Sequence, residues 1–155
     1  MLVGDEGELL VRGPNVFQGY WNEPEATSRA VSAEGWLHTG DIAVVDDEGF
    51  IYLVDRAKDL IIVSGFNVYP AEVESVLNRH PEVASSAVVG VSDSQTGEAV
   101  EAYVVPADRT TDLDLDALAS WASEHLARYK WPRNITVVSE LPRGLGGKLL
   151  RRALG

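Results

Sequence analysis

Short runs of apolar, β-branched residues dominate the first part of the chain and predict strands. Two such runs, 42–45 and 50–54, are separated by residues 46–49 (DDEG), a spacing and a glycine-containing turn that are typical of a β-hairpin. A further strand is predicted over 7–12, ending before a Gly-Pro pair, and one or two helical turns over 24–31. About the first 55 residues are therefore expected to be rich in β-structure.

From about residue 60 onward, strand patterns alternate with helical ones. Apolar strands are predicted over 60–63, 83–91, 99–105 and 135–138. The turn between the second and third of these strands is expected to cover residues 92–98. A final helical turn or two is predicted near the C-terminus, at residues 148–154.

Two segments carry apolar residues three and four positions apart, the spacing of an amphipathic helix. The first begins at Pro70, which suits the first turn of a helix, and has Val73, Val76 and Leu77 on its apolar face. The second is led by Asp112, Asp114 and Asp116, whose charge suits a helix N-terminus, and is expected to end near Arg128 and Lys130. Its predicted apolar face consists of Leu115, Leu118, Ala122 and Leu126.

The order of these elements predicts an α+β fold, with a β-rich segment followed by a β-α-β-β-α-β module whose helices pack on a sheet. The pattern changes between about residues 55 and 60. We therefore predict a domain boundary there, with residues 1–57 in one domain and residues 58–155 in another.

Composition narrows the class of protein. Hydrophobic residues make up 45% of the 155 residues and charged residues 24%, which is ordinary for a soluble globular domain. The absence of cysteine excludes disulfides, thiolate zinc sites and a cysteine nucleophile, and the three histidines lie far apart, so no metal site is expected. No signal peptide and no run long enough to span a bilayer is recognised. We expect a soluble, cytoplasmic protein.

The net charge of −11 argues against non-specific nucleic-acid binding. The charge is nevertheless uneven, because the segment from Arg128 to the C-terminus has seven basic residues and one acidic residue, Glu140. A solvated helix end and a surface that meets phosphate groups explain such a tail equally well.

No complete catalytic constellation is recognisable from residue types and spacing alone. Residues 144–149 (GLGGKL) differ from the phosphate-binding pattern GxxxxGK[ST] in spacing, and Leu149 stands where a magnesium-binding hydroxyl is required. Neither GxSxG nor HExxH occurs. On these grounds a binding or structural module is a better prediction than an enzyme.

Four stretches change that interpretation. Residues 36–41 (WLHTGD) resemble the [WY]xxTGD motif of acyl-CoA synthetases, peptide-synthetase adenylation domains and beetle luciferases, and residues 55–59 (DRAKD) resemble their interdomain hinge. Residues 64–74 (SGFNVYPAEVE) resemble the SGxNxxPxExE stretch of the acyl-CoA ligase branch, and residues 141–152 (LPRGLGGKLLRR) resemble the LPRxxxGKxxRR ending. With residues 19–21 (GYW), the likeness to the adenylate-forming superfamily covers nearly the whole chain in the family's order.

The resemblance implies that residues 1–57 are the β-rich C-terminal end of a large adenylation domain and residues 58–155 the small mobile C-terminal domain of an acyl-CoA synthetase. The parent enzyme would use ATP, Mg²⁺ and CoA to convert a carboxylic acid, expected to be a fatty acid, into its acyl-CoA. The family's phosphate loop and acyl pocket lie in the missing part of the N-terminal domain. This chain is therefore expected to be inactive alone and to bind no metal through its own residues.

Matching the motifs position by position implies a role for six residues. Asp41 would accept hydrogen bonds from the ribose hydroxyls of ATP, and Arg56 would contact the ribose and phosphate side of the nucleotide. Lys148 would be the catalytic lysine of the adenylation step. The hinge residue would be Lys58. Gly65 would line the pantetheine channel for CoA, and Asn67 would lie in the same loop.

The chain departs from the family pattern at two places. Residues 144–146 (GLG) replace the polar, often proline-containing triplet that precedes the Gly-Lys pair, which predicts a more flexible loop around Lys148. Ile62 stands where some relatives have a lysine that assists the nucleotide.

Two alternatives remain open. The parent could be an acyl-adenylate ligase that transfers its acyl group to a carrier protein, although residues 64–74 fit the CoA branch better. The chain could also be a noncatalytic interaction module.

Overall fold

The computed structural model describes residues 6–108, 110 and 112–154. The chain divides into two compact units, Met1–Lys58 and Asp59–Gly155. The described residues form three α-helices and two sheets that are antiparallel except for one parallel pair of strands. The predicted α+β fold class is confirmed.

The first unit is a three-stranded antiparallel sheet with one short helix. Its elements are β1 (Gly7–Val11), α1 (Pro24–Ala30), β2 (Leu37–Val45) and β3 (Ile51–Arg56), and the strand order is β1-β2-β3.

The predicted hairpin between β2 and β3 is present. The Asp46 carboxylate closes its turn by accepting hydrogen bonds from the backbone N–H groups of Glu48 and Phe50 and from the hydroxyl of Tyr52. Gly49 adopts a φ of +85°, which a side chain would disfavour.

Most large apolar side chains of the first unit are exposed. Among its described residues, the buried apolar side chains are Ala43 and Val44. The exposed ones lie in β1, in the segments before α1 and β2, at the end of β2, and in β3 and the turn before it: Leu10, Phe17, Tyr20, Trp21, Trp36, Val45, Phe50, Ile51, Tyr52 and Leu53. Exposed apolar surface of this extent is typical of a surface that contacts other protein.

The second unit has a five-stranded sheet with two helices. Its elements are β4 (Ile61–Val63), β5 (Phe66–Val68), α2 (Pro70–Leu77), β6 (Val83–Asp93), β7 (Gly97–Pro106), α3 (Leu115–His125) and β8 (Asn134–Val137). The strand order is β5-β4-β7-β6, and β8 pairs in parallel with β7, to which it is connected through α3. Short 3-10 turns cover Ala57–Asp59, Arg128–Lys130 and Arg151–Ala153.

The core of this unit lies between the sheet and the apolar faces of α2 and α3. Its buried side chains from the helical segments include Val73, Val76, Leu77, Leu118, Ala122 and Leu126. Leu115 was expected on the same face but is 38% exposed. It is the first residue of α3, and side chains of a helix tilt toward its N-terminus, so the Leu115 side chain extends past the first turn.

Three local predictions are corrected by the structure. Asn67 was expected in a loop but lies in β5, opposite Ile62 of β4, because residues 64 and 65 form a tight hairpin turn. Arg128 and Lys130 form a separate 3-10 turn, since α3 ends at His125. The last predicted helical segment is limited to Arg151–Ala153.

Candidate functional site

Asp41 and Arg56 face each other across the β2–β3 ladder. The Arg56 Nε atom lies 3.0 Å from Asp41 Oδ1, and the two residues are register partners. The Asp41 side chain is 26% exposed and that of Arg56 is 44% exposed, so a ligand can reach both. This arrangement combines a carboxylate that accepts hydrogen bonds from hydroxyl groups with a guanidinium that donates to phosphate or ribose oxygens.

The segment of β2 that carries Asp41 is attached to β1 through Thr39. The Thr39 hydroxyl donates to the carbonyl of Leu9 at 2.7 Å and accepts from the backbone N–H of Asp41 at 3.1 Å. One side chain therefore connects Asp41 to the neighbouring strand β1.

Glu8 of β1 provides a second connection that the motif comparison did not identify. Its carboxylate accepts from the backbone N–H of Gly40 at 3.1 Å and from Nδ1 of His38 at 3.0 Å. The hydrogen bond from His38 is the main cause that lowers the pKa of Glu8. Only the pairing of β1 with β2 reveals this role, since Glu8 lies 30 residues before His38.

Gly65 occupies the tip of the β4–β5 hairpin. Its φ of +85° and the φ of +51° at Ser64 give the two central residues of the turn the left-handed conformation typical of tight hairpins. The Ser64 N–H donates to the carbonyl of Thr96 at 2.8 Å, which fixes the turn against the loop between β6 and β7. A Cβ atom at Gly65 would meet no atom within 4 Å, so the space beside the turn is open.

A cavity of about 590 Å³ lies beside this turn, within the second unit. Its lining includes Ser64, Phe66, Arg128, Tyr129 and Arg133. The Phe66 and Tyr129 rings are stacked, with centroids 4.7 Å apart. Aromatic rings next to arginines form a surface on which a planar base and phosphate groups can bind.

Arg133 at this cavity is paired with Asp93, to which its guanidinium donates a hydrogen bond. Hydrogen bonds to the Asp93 carboxylate, above all from the Thr96 hydroxyl, lower its pKa to about 2. Asp93 is therefore ionised at neutral pH and holds Arg133 at the edge of the cavity. Neither residue was singled out from the sequence.

Lys148 lies on a small hairpin near the C-terminus. The Gly147 N–H donates to the Gly144 carbonyl, the Gly144 N–H to the Lys148 carbonyl and the Leu150 N–H to the Pro142 carbonyl, each at 2.9 Å. The turn is thus closed by backbone hydrogen bonds although it lacks the family's polar triplet. The Lys148 side chain is exposed, and its ammonium group has no partner among residues 6–108, 110 and 112–154.

The structure brings some of the predicted site residues together. Asp41 and Arg56 form an ion pair in the first unit, and Gly65 and Asn67 share one hairpin in the second. Lys58 lies in the 3-10 turn Ala57–Asp59 and is the last residue of the first unit. Lys148 lies on a different hairpin of the second unit.

The described part of the chain holds neither a cluster of metal ligands nor a helix that could span a membrane. No group of three or more histidine, aspartate or glutamate residues is placed to hold a metal ion there. None of the helices formed by those residues is both long and apolar enough to cross a membrane.

The family model of the AMP-binding enzyme C-terminal domain matches residues 72–148. A 3-[(3aS,4S,7aS)-7a-methyl-1,5-dioxo-octahydro-1H-inden-4-yl]propanoyl:CoA ligase of Rhodococcus jostii is 48% identical over 152 residues, which are 98% of this chain and 29% of the relative. A long-chain-fatty-acid–CoA ligase of Salmonella typhimurium is 50% identical over 151 residues, which are 97% of this chain and 26% of the relative. The chain therefore spans less than a third of the length of these curated relatives.

Among solved structures, the o-succinylbenzoate CoA synthetase of Bacillus subtilis in complex with its acyl-adenylate intermediate is similar to this chain. The TM-score is 0.88 and the sequence identity 43%, over 97% of this chain and 30% of that protein. The similarity thus includes both units, and it again involves less than a third of the larger protein.

Proposed function

Since this chain belongs to the adenylate-forming superfamily, with residues 72–148 matching its AMP-binding enzyme C-terminal domain, we propose that it is the C-terminal part of an ATP-dependent acyl-CoA ligase. In the first half-reaction a carboxylate attacks the α-phosphorus of ATP, giving an acyl-adenylate and pyrophosphate. In the second, the thiol of CoA attacks the acyl carbonyl, and AMP leaves. Mg²⁺ would accompany ATP in the parent enzyme. The similarity to the long-chain-fatty-acid–CoA ligase supports a fatty acid as the substrate.

The observation that carries this proposal is the ion pair of Asp41 and Arg56 on adjacent strands. Asp41 would accept hydrogen bonds from both ribose hydroxyls, and Arg56 would donate to the ribose and phosphate side of the nucleotide. Their exposure leaves room for the nucleotide, and Thr39 and Glu8 hold the segment of β2 around Asp41 against β1.

Lys148 would serve the first half-reaction. Two anions, the carboxylate and the α-phosphate, must approach each other, and a cation between them stabilises the transition state. The exposed, unpaired ammonium group on a closed hairpin of the described chain supports this role.

The hairpin at Gly65 and the cavity beside it would serve the second half-reaction. The open space at Gly65 suits the narrow pantetheine arm of CoA, and the stacked Phe66 and Tyr129 rings with the nearby arginines suit its nucleotide end. Asn67, in β5, would support the hairpin through its pairing with Ile62. Lys58 would be the hinge whose backbone rotation presents the second unit in two poses, one for each half-reaction.

The parent enzyme would supply the phosphate loop and the acyl pocket from residues outside this chain. Two observations support this proposal. The chain spans less than a third of the length of its curated relatives, and the first unit has many exposed apolar side chains. We therefore expect the chain alone to be inactive.

The proposal is tested with the full-length parent protein. ATP–pyrophosphate exchange in the presence of fatty acids of different length reports the first half-reaction, and thioester formation with CoA reports the second. We expect both with the parent and neither with this chain alone. Absence of exchange with every carboxylic acid offered would contradict the proposal and favour a noncatalytic interaction module. Acyl transfer to a phosphopantetheinyl carrier protein but not to CoA would also contradict it and would favour a ligase that serves a carrier protein.

Replacing Asp41 with alanine in the parent should raise KM for ATP roughly ten- to hundredfold, because hydrogen bonds to a charged group are lost. KM for CoA should stay unchanged. Steady-state kinetics with each substrate varied in turn would measure this effect. Asp47→Ala, an exposed aspartate in the β2–β3 turn, is the matched control. An equal change of KM for ATP in both variants would contradict the role of Asp41.

A further inference from the structure

Arg151 is bound by two carboxylates that are distant from it in sequence. Its Nε and Nη2 atoms lie 3.1 and 2.8 Å from the two carboxylate oxygens of Glu74, so this contact is bidentate. Its Nη1 atom lies 3.3 Å from Oδ2 of Asp59. The side chains of Arg151, Glu74 and Asp59 are 21%, 13% and 22% exposed, respectively.

This cluster differs from an ordinary surface ion pair in geometry and in surroundings. The planar guanidinium matches the two oxygens of Glu74, which restricts its orientation, and partial burial reduces screening by water. Glu74 is itself fixed, because it lies in α2 and accepts a hydrogen bond at 2.9 Å from the backbone N–H of Val88 in β6. Arg151 is therefore attached to a rigid part of the second unit.

Arg151 follows Lys148 by three residues, and the intervening residues are also held. Leu149 packs against the apolar cluster of Ala87, Val105 and Leu141, and the Leu150 N–H donates to the Pro142 carbonyl. The hairpin that presents Lys148 is thus connected to the body of the unit through its own backbone, the Leu149 side chain and the Arg151 guanidinium.

The second carboxylate partner, Asp59, connects the cluster to another functional segment. Asp59 directly follows Lys58, the proposed hinge residue, and is the first residue of the second unit. One guanidinium therefore joins the segment that carries the catalytic lysine to the segment at which rotation of the unit would begin.

We propose that Arg151 is a positioning residue for Lys148. It holds the Lys148 hairpin and the residue after the hinge on one rigid body, so that rotation at Lys58 delivers the Lys148 ammonium group to a defined place. Arg151 itself touches no reactant. This inference rests on the proposed function for its catalytic part and on the geometry of the second unit for its structural part.

Arg151→Gln in the full-length parent tests the proposal through both half-reactions. We expect kcat for adenylate formation to fall roughly tenfold, because a small misplacement of a catalytic group is costly, with KM for ATP changed by less than about twofold. Acyl transfer to CoA from supplied acyl-adenylate should be unaffected. Arg152→Gln is the matched control, since Arg152 is an exposed neighbour of the same charge. Unchanged adenylation in the Arg151 variant, or equal losses in both half-reactions, would overturn the proposal.

Hydrogen exchange of the same variants provides a readout that does not depend on activity. Amide protons of Gly144, Gly147 and Leu150, which close the Lys148 hairpin, should exchange faster in Arg151→Gln than in Arg152→Gln. Equal exchange in the two variants would overturn the structural part of the proposal. If the unmodified parent forms no acyl-adenylate, the proposed function fails, and hydrogen exchange still decides whether Arg151 holds the hairpin.

Arg151→Lys separates positioning from general stability if Arg151→Gln fails to fold. Lysine retains the positive charge but lacks the planar group that contacts Glu74 and Asp59 together. We expect this variant to fold and still to show slower adenylation than Arg152→Lys. Full recovery of adenylation with lysine at position 151 would show that the bidentate geometry is unnecessary and would overturn the proposal.

Discussion

Replacing Lys148 with alanine in the full-length parent should slow acyl-adenylate formation by roughly two orders of magnitude or more, as expected for the loss of a charged group that stabilises a transition state. Acyl transfer from supplied acyl-adenylate to CoA should stay within about twofold of the unmodified rate. The two half-reactions are expected to respond differently because Lys148 would act only in the pose in which the carboxylate meets the α-phosphate. In the second half-reaction the phosphate is already bonded to the acyl group.

The structure makes this substitution a clean test. The Lys148 side chain is exposed, and the hydrogen bonds of its hairpin use backbone atoms and the Arg143 guanidinium, so alanine removes the ammonium group without removing a described contact. Pyrophosphate release in a single turnover measures the first half-reaction, and thioester formation from supplied adenylate measures the second. Arg152→Ala provides the control for loss of one positive charge in the same segment. If Lys148→Ala depressed both half-reactions equally, Lys148 would have a structural role and the assignment would be wrong.

Gly65→Leu should have the opposite effect. We expect acyl transfer to CoA to fall by about a hundredfold or more, because a leucine side chain would occupy the open space proposed for the approach of the pantetheine thiol. Acyl-adenylate formation should change by less than about threefold, since Gly65 belongs to the second unit, whereas Asp41 and Arg56, the proposed nucleotide-binding pair, belong to the first.

Backbone strain must be separated from this steric effect. A residue other than glycine at a φ of +85° is destabilised by about 1–2 kcal/mol, wherever it lies. Gly49 has the same φ, and a Cβ atom there also meets nothing within 4 Å, so Gly49→Leu reproduces the strain without altering the proposed CoA channel. Comparable loss of acyl transfer in the two variants would attribute the effect to strain and would contradict the role of Gly65.

Local elements were predictable because their signals lie within a few consecutive residues. The β2–β3 hairpin was recognised from two β-branched runs and a turn, and α2 from Pro70 and three apolar residues at helical spacing. The errors occurred where local signals are weakest. The strand β5 has only three residues, too few for alternation to be seen, and Leu115 lies at a helix end where periodicity does not decide burial.

The candidate site was predictable only as a set of separate motifs. The resemblance named Asp41, Arg56 and Lys148 one by one, but their surroundings depend on which strands pair and in which register. The β1–β2 pairing that places Glu8 beside Gly40 joins residues 32 positions apart. The cavity next to Gly65 likewise requires the turn at Arg128–Lys130 to meet the β4–β5 hairpin.

By itself, the sequence determined the α+β class, most of its strands and helices and the positions of the family motifs, because periodicity, turn residues and motif spacing are properties of short segments. Only the tertiary structure decided which of these segments touch. The Arg151 guanidinium contacts Glu74, 77 positions away in the sequence, and Asp59, 92 positions away. Neither contact can be recognised from the local pattern of apolar and polar residues. Such contacts form when buried faces pack together and strands pair. Which strands pair depends on the free energy of the whole unit and not on the residues of any single segment.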